Sequence, residues 1–338
     1  MKQGFTPKEL KTILFSKRAN IYYLEKCRVM QKDGRVLYLK EGKKAMEYWN
    51  IPIANTTAIL LGTGTSITQA AVRLLAQAGV LIGFSGGGGT PLLAGREIEW
   101  LCPQSEYRPT RYVQGWLYFW HDPAKRLAGA KNLQRARCNY LEKVWGADRE
   151  LQDEGFYPDD IVIDSALGEY RKKINRAMNV QELLSAEAHF AKSLYKYAAA
   201  NTGHDGFVRD TAGTDEANIF FNHGNYLAYG MAASALWVLG IPHGFALMHG
   251  KTRRGALVFD VADFIKDILV LPWAFICASH GYTNQEFRTK CLEKFVEHGA
   301  LDYMYDNIER QSLQWYSGDD IYDGDFYQPE RQEGDKDN

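Results

Sequence analysis

The sequence predicts an α+β protein: an N-terminal β-strand-rich domain followed by a larger all-α domain, with a disordered acidic tail at the C-terminus. Three observations carry that prediction. Up to about residue 100, short runs of β-branched and aromatic residues alternate with turn signals, the pattern of strands. Beyond residue 110, apolar residues recur at helical spacing over long segments. From Ser317 onward eight acidic residues stand against Arg331 and Lys336, with few aliphatics to build a core.

Taken in order, Asn20–Met30, Arg35–Lys40, Thr56–Leu61 and Val80–Phe84 sit between turns such as Asp33-Gly34, and each reads as a strand. One helix interrupts them at Ser66–Ala78, with Ile67, Ala70, Ala71, Leu74, Leu75 and Ala78 on one stripe and Gly79 ending it. Gly86–Gly89 follows a strand, as a phosphate loop does. It lacks the Gly-Lys-Ser/Thr ending and meets Pro91 instead of a helix, so it reads as a flexible turn. Pro103–Thr110 has the polarity and prolines of a linker. The chain therefore divides into a β domain (1–102), a linker (103–110), a helical domain (111–316) and the tail (317–338). In the helical domain, Tyr112–His121, Pro123–Val144, Val180–Ala200, Asn222–Leu239, Val258–Leu269, Asn284–His298 and Leu301–Trp315 read as amphipathic helices, with Asn201–Glu216 a polar loop.

Charge narrows the function classes. The net charge of −1 argues against a uniformly basic nucleic-acid binder, yet the tail alone carries −6, which leaves +5 on residues 1–316. Five cysteines (Cys27, Cys102, Cys138, Cys277, Cys291) are odd in number and form no C-x-x-C pair, the usage of reduced thiols in an intracellular protein. No secretory signal opens the chain, and the apolar run Ile268–Ser279 is too short to span a membrane and contains Pro272. The expectation is a soluble, cytoplasmic protein.

Chemistry concentrates in Gly240–Asp267. An apolar run ends at His249; a basic loop carries Lys251, Arg253 and Arg254; an apolar helix then bears Asp260, Asp263 and Asp267 at i, i+3 and i+7, one helical face. On the helix Val180–Ala200 the expected buried stripe is Leu184, Ala188, Ala191, Leu194, Tyr195 and Ala198, and Glu187 falls on it. A carboxylate there is unusual, and it reads as a salt bridge to a buried Lys or Arg, as a stripe edge reaching water, or as a functional group. Taken singly, His249 fits a core histidine, Asp260 and Asp263 fit helix N-terminal acids, Asp267 fits a helix-surface charge, and the basic loop fits solvated charge. Together, one imidazole and two carboxylates leave open positions on a hard divalent cation, magnesium or manganese (Mg2+ or Mn2+) rather than structural zinc. The cationic loop beside them suits phosphates.

At these residues the chain resembles the CRISPR adaptation integrases, the metal-dependent DNA endonuclease/integrases of spacer acquisition, and most of all their subtype I-F version. The resemblance runs from about Leu10 to Leu301, and its specific part is His249–Asp263 with HGKTRRG between. The family's helical Glu falls on Glu187, its Gly- and Pro-containing segment ending in His on Gly240–His249, and its D-x-x-D on Asp260 and Asp263. Its D-x-x-N-x-x-x-N-Y-G-Y motif is represented by Asp215, Asn218 and Asn222-His223-Gly224-Asn225, with His223 and Asn225 in place of two tyrosines, a departure that fits the I-F branch.

The resemblance implies a homodimer built through the β domains, and Glu187, His249 and Asp263 as catalytic metal ligands with Asp260 as their neighbour. It implies double-stranded and branched DNA (prespacer and CRISPR repeat) as substrate, joined by attack of a 3′-hydroxyl on a repeat phosphodiester in antiviral defence. It also implies a smaller adaptation partner, fused in subtype I-F to the interference helicase–nuclease, and no membrane. Lys251, Arg253 and Arg254 are DNA-backbone candidates on their chemistry. Two other readings compete: a non-catalytic dimeric DNA-binding scaffold, and a metallohydrolase of small phosphoesters, against which the basic loop speaks.

Overall fold

The computed structural model describes residues 20–41, 46–86, 99–102, 110–250 and 255–316. The glycine turn beyond Gly86, the linker up to residue 109, the loop bearing Lys251, Arg253 and Arg254, and the acidic tail lie outside them.

Eight strands are described: β1 (Asn20–Leu24), β2 (Arg28–Lys32), β3 (Arg35–Glu41), β4 (Met46–Ile51), β5 (Thr56–Leu61), β6 (Ser66–Ile67), β7 (Leu81–Phe84) and β8 (Glu99–Leu101). They form two four-stranded sheets, ordered β1-β5-β7-β8 and β4-β3-β2-β6. In the first sheet β1, β5 and β7 are parallel, with the helix α1 (Gln69–Gln77) on the crossover from β5 to β7. Thr68 caps α1 by accepting from Ala71 N at 3.3 Å.

β5 is buried along its whole length, and its alternation explains why. Ile59 and Leu61 face a core made with α1 and the second sheet, while Ala58 and Leu60 belong to the same apolar core as the helices. The expected strand Asn20–Met30 is two strands in different sheets. Between them Lys26 takes a positive φ of 49° and donates its N–H to Thr63 O at 3.0 Å. No Gly or Pro marks that corner. β4, β6 and the short β8 were not expected; β6 takes Ser66 and Ile67 from the expected helix Ser66–Ala78, which begins only after its cap Thr68.

The helical part comprises α2 (Thr110–Trp120), α3 (Pro123–Ala147), α4 (Arg149–Asp153), α5 (Ile161–Arg176), α6 (Val180–Thr202), α7 (Glu216–Leu239), α8 (Ala256–Ile265), α9 (Leu271–Ser279), α10 (Asn284–Glu297) and α11 (Ala300–Leu313). α7 is apolar nearly all round and stands at the centre, packed by α8, α9 and α11 on its sides and by β5. Unexpected α5 has its own signal: Asp160 caps it, and Ile163, Leu167, Tyr170 and Ile174 form its buried stripe. Asp215 caps α7 by accepting from Asn218 N, so α7 starts at Glu216 and not at the expected Asn222.

A single π turn, Lys266–Val270, joins α8 to α9. Its cause is legible. Pro272 has no N–H for the carbonyl of Ile268, four residues back, and the Trp145 indole of α3 donates to that carbonyl at 2.9 Å. The run through Pro272 is thus a core helix rather than a membrane candidate. Among the described residues no helix is long and apolar enough to cross a membrane. The five cysteines are free, and all but Cys102 are buried.

Gly224 of α7 faces this π turn. An added Cβ would run into Val270 Cγ1 and lie 3.1 Å from Phe287 Cζ. Gly224→Ala is therefore expected to destabilise the chain by about 1–3 kcal/mol in urea unfolding. Gly168→Ala in α5, where a Cβ meets nothing within 4 Å, should instead be neutral or stabilising by up to about 1 kcal/mol. Equal effects at the two sites would refute the packing argument.

Candidate metal centre

α6 brings in Glu187. The helix is fixed at both ends: Asn179 accepts from Glu182 N at 2.9 Å, and Gly203 closes it at φ 72°. Its buried stripe is Leu183, Ala186, Phe190, Leu194, Tyr197 and Ala198, displaced from the expected one, with Ala188 exposed and Leu184, Ala191 and Tyr195 half-buried. The reason is that α6 packs against α5, α9 and α3. Glu187, half-buried, stands beside the stripe on the side that meets α3.

His249 arrives on the segment after α7, which turns at Gly240 with φ 69°. Two α2 indoles staple that segment: Trp116 donates to Phe245 O at 3.0 Å and Trp120 to Ala246 O at 2.9 Å. Asp260, the first acid of α8, anchors its end. Its carboxylate accepts from the backbone N–H of Leu247 at 2.7 Å, Met248 at 3.1 Å and His249 at 3.3 Å, and meets His249 Nδ1 at 2.6 Å. Asp260 therefore orients the imidazole, and the ring nitrogen directed to an ion would be Nε2.

One turn further along α8, Asp263 completes the group. Glu187, His249 and Asp263 each offer a ligand atom, and these lie within 4.8 Å of one another. Side-chain exposure grades outward from 4% at Asp263 through 13% at Glu187 to 21% at His249, so the group opens to solvent on the histidine side. Asp263 Oδ2 is buried without a hydrogen-bond partner among the described residues. An oxygen-rich set with an unmatched buried carboxylate oxygen fits a hard divalent cation.

Two cations missed in the sequence complete the electrostatics. Arg137 of α3, buried, donates to Glu187 Oε1 at 2.8 Å and pairs with Asp267. Asp267 is accordingly a core residue, not the expected surface charge, because the π turn holds it against α3. Lys266 pairs with Asp263. Arg137 lies within a helix whose apolar periodicity gives it no distinction, so only the buried face of α3 could have flagged it.

These neighbours push the two carboxylates apart. Burial and the nearby Asp263 raise Glu187 to about 7, with Arg137 opposing. Burial alone would raise Asp263 too, but Lys266, His249 and Arg137 hold it well below the usual carboxylate range. At His249 burial disfavours the charged ring, and the hydrogen bond to Asp260 with the charge of Asp263 outweighs it, so its pKa is raised.

A second cluster, Asp148, Glu297 and His298, has similar ingredients. There the Lys294 ammonium sits 3.0 Å from Asp148 and 2.8 Å from Glu297, and His298 Nε2 lies 2.8 Å from Asp148. A side-chain cation already fills it. It is an ion-pair network.

The family profile described as CRISPR associated protein Cas1 matches residues 21–302. The chain belongs to the Cas1 family. It is 54% identical over 310 residues to the CRISPR-associated endonuclease Cas1 of Pseudomonas aeruginosa, covering 90% of this chain and 96% of that one. It is 51% identical over 315 residues to the CRISPR-associated endonuclease Cas1 of Pectobacterium atrosepticum, covering 91% and 97%. Among solved structures, TM1797, a CAS1 protein from Thermotoga maritima, superposes with a TM-score of 0.69 at 15% identity, covering 87% of this chain and 96% of that one. A casposase bound to integration product gives 0.67 at 13% identity, covering 88% and 92%. At those identities the likeness is one of fold, and it is the α+β fold expected of the family.

The raised Glu187 has a testable sign. Between the ordinary carboxylate value and about 7, the folded chain holds a proton at Glu187 that the unfolded chain has lost. Its contribution to stability therefore falls as pH rises through that window. With a chelator present, the melting temperature of the wild type should drop from pH 5 to pH 8 relative to Glu187→Gln. Parallel curves would show that Glu187 carries no such proton.

Proposed function

We propose that this chain is a divalent-metal-dependent DNA endonuclease/integrase of CRISPR adaptation, of the subtype I-F kind, acting in the cytoplasm. The observation that carries the proposal is the convergence of Glu187, His249 and Asp263, within 4.8 Å, from three separate elements of a Cas1 chain. The names of the P. aeruginosa and P. atrosepticum relatives support an endonuclease, and the casposase bound to integration product supports strand joining. A complex of TtCas1 with DNA and a Cas6-RT-Cas1–Cas2 complex, both with chains of this fold, support DNA and a further protein as partners.

Glu187, His249 and Asp263 would hold a Mg2+ or Mn2+ ion, and Asp260 would keep the His249 ring in place. When bound, such an ion polarises a phosphoryl oxygen and favours ionisation of an attacking hydroxyl. The reaction is a phosphodiester exchange: the 3′-hydroxyl of a captured fragment forms a new P–O bond, and the repeat's P–O3′ bond breaks. The hydroxyl's proton ends on the released 3′-oxygen, so no external energy source is needed. Homodimerisation through the sheets, and association with an adaptation partner fused to the interference helicase–nuclease, belong to the same proposal.

The scaffold reading keeps one observation in its favour. Arg137 and Lys266 already balance Glu187 and Asp263, as in a structural ion-pair cluster. Asp263→Ala separates the two readings. The integrase reading expects a folded, DNA-binding, dimeric variant that neither cleaves branched DNA nor joins a 3′ end to a repeat, in magnesium or manganese. Strand transfer at near wild-type rate would overturn it, and unfolding of the variant would favour the scaffold.

The basic loop has its own test. Replacing Lys251, Arg253 and Arg254 by glutamine should weaken DNA binding about equally for all sequences. It should also lower the salt slope by roughly 0.9 per lost phosphate contact on duplex DNA. Unchanged affinity and slope would return these residues to solvated charge.

A further inference from the structure

We infer that Gln134 and Arg137, one turn apart on α3, are positioning residues that hold the two distant arms of the metal centre in register. The inference rests on the metal-centre reading and adds to it a template that none of the ligands supplies.

The geometry is a connected chain. Arg137 Nη1 donates to Glu187 Oε1 at 2.8 Å and to Gln134 Oε1 at 3.2 Å, while Nη2 pairs with Asp267. The Tyr170 hydroxyl of α5 donates to the same Gln134 oxygen at 2.6 Å. With two donors on Oε1, the Gln134 amide can face only one way, and its Nε2 points at Met248 Sδ, 3.0 Å away. Met248 is the residue before His249. One turn of α3 thus touches Glu187 on one arm and the chain neighbour of His249 on the other. Both side chains are sealed, at 1% exposure for Gln134 and 2% for Arg137.

Stability alone does not account for this arrangement. Buried ion pairs are often no better than well-packed apolar residues, and here Arg137 Nε is buried without a hydrogen-bond partner among the described residues. The fork is also divided. A guanidinium bound for strength takes both oxygens of one carboxylate. Arg137 takes one oxygen of Glu187 and spends its other arm on Asp267, which orients Glu187 with only Oε1 engaged by the guanidinium.

The test uses the purified full chain without DNA and reads Mn2+ affinity by calorimetry beside thermal melting. Arg137→Met alone strands two carboxylates and risks unfolding, so the decisive variant is the pair Arg137→Met, Asp267→Met, which removes both charges of that ion pair together. It should stay folded and bind Mn2+ about 10- to 100-fold more weakly, the usual loss when a partner that orients a ligand is removed. Arg137→Lys keeps the charge without the fork and should not restore affinity. Gln134→Leu should weaken Mn2+ binding as well, through the His249 arm. Wild-type Mn2+ affinity in the folded double variant, or full rescue by Arg137→Lys, would overturn the inference. A wild-type chain that binds neither Mn2+ nor Mg2+ would instead overturn the metal-centre reading beneath it.

Discussion

The guanidinium of Arg137, buried between Glu187 and Asp267, is the contact on which the helical half is arranged. Charge in a low-dielectric interior is tolerable only beside its opposite, so each buried carboxylate dictates where another element must pass. Arg137 ties α3 to α6 and to the π turn. Lys266 ties the end of α8 to Asp263, and Asp260 ties the start of α8 to the backbone before His249. Remove the guanidinium, and Glu187 and Asp267 lose the partner they share, while the apolar core still packs the three elements together.

That placement depends in turn on a backbone irregularity. Pro272 cannot complete a regular helix, the ladder opens into a π turn, and the Trp145 indole takes up the stranded carbonyl of Ile268. Asp267 sits inside that turn. A proline that reads in isolation as an interruption is therefore what lets an acid, a cation and an indole meet on α3. Gly224 of α7 allows the turn to approach, since its missing side chain is filled by Val270 and Phe287.

Two clusters of acids and histidine occur among the described residues, and their difference is instructive. At Asp148 both carboxylate oxygens are engaged, by Leu151 N, Lys294 and His298, and the group is pulled down to about 2 against its burial. At Asp263 one oxygen is left buried and unmatched, beside a Glu187 pushed the other way. The first arrangement is closed. The second, although paired with Arg137 and Lys266, keeps one buried carboxylate oxygen unmatched and opens towards solvent at His249, which is what the proposed metal centre asks of it.

By itself the sequence determined the fold class and most helices, and it singled out Glu187, His249 and Asp263 as the candidate site. Periodicity is a local property, so the apolar length of α7, the i, i+3, i+7 ladder of Asp260, Asp263 and Asp267, and the oddity of Glu187 on an apolar helix could all be read along the chain. The stripe of α5, Ile163, Leu167, Tyr170 and Ile174, is equally legible along the chain. What only the tertiary structure decided was partnership. Arg137 meets Glu187 across 50 residues and Asp267 across 130, distances over which sequence spacing holds no geometric information. The same limit explains Asp267, whose burial follows from what packs on it and not from its own helix. It explains the displaced stripe of α6, which is set by the three helices α5, α9 and α3 that pack on it. A helix shows which residues share a side, but the fold decides which side meets a charge, a wall or water.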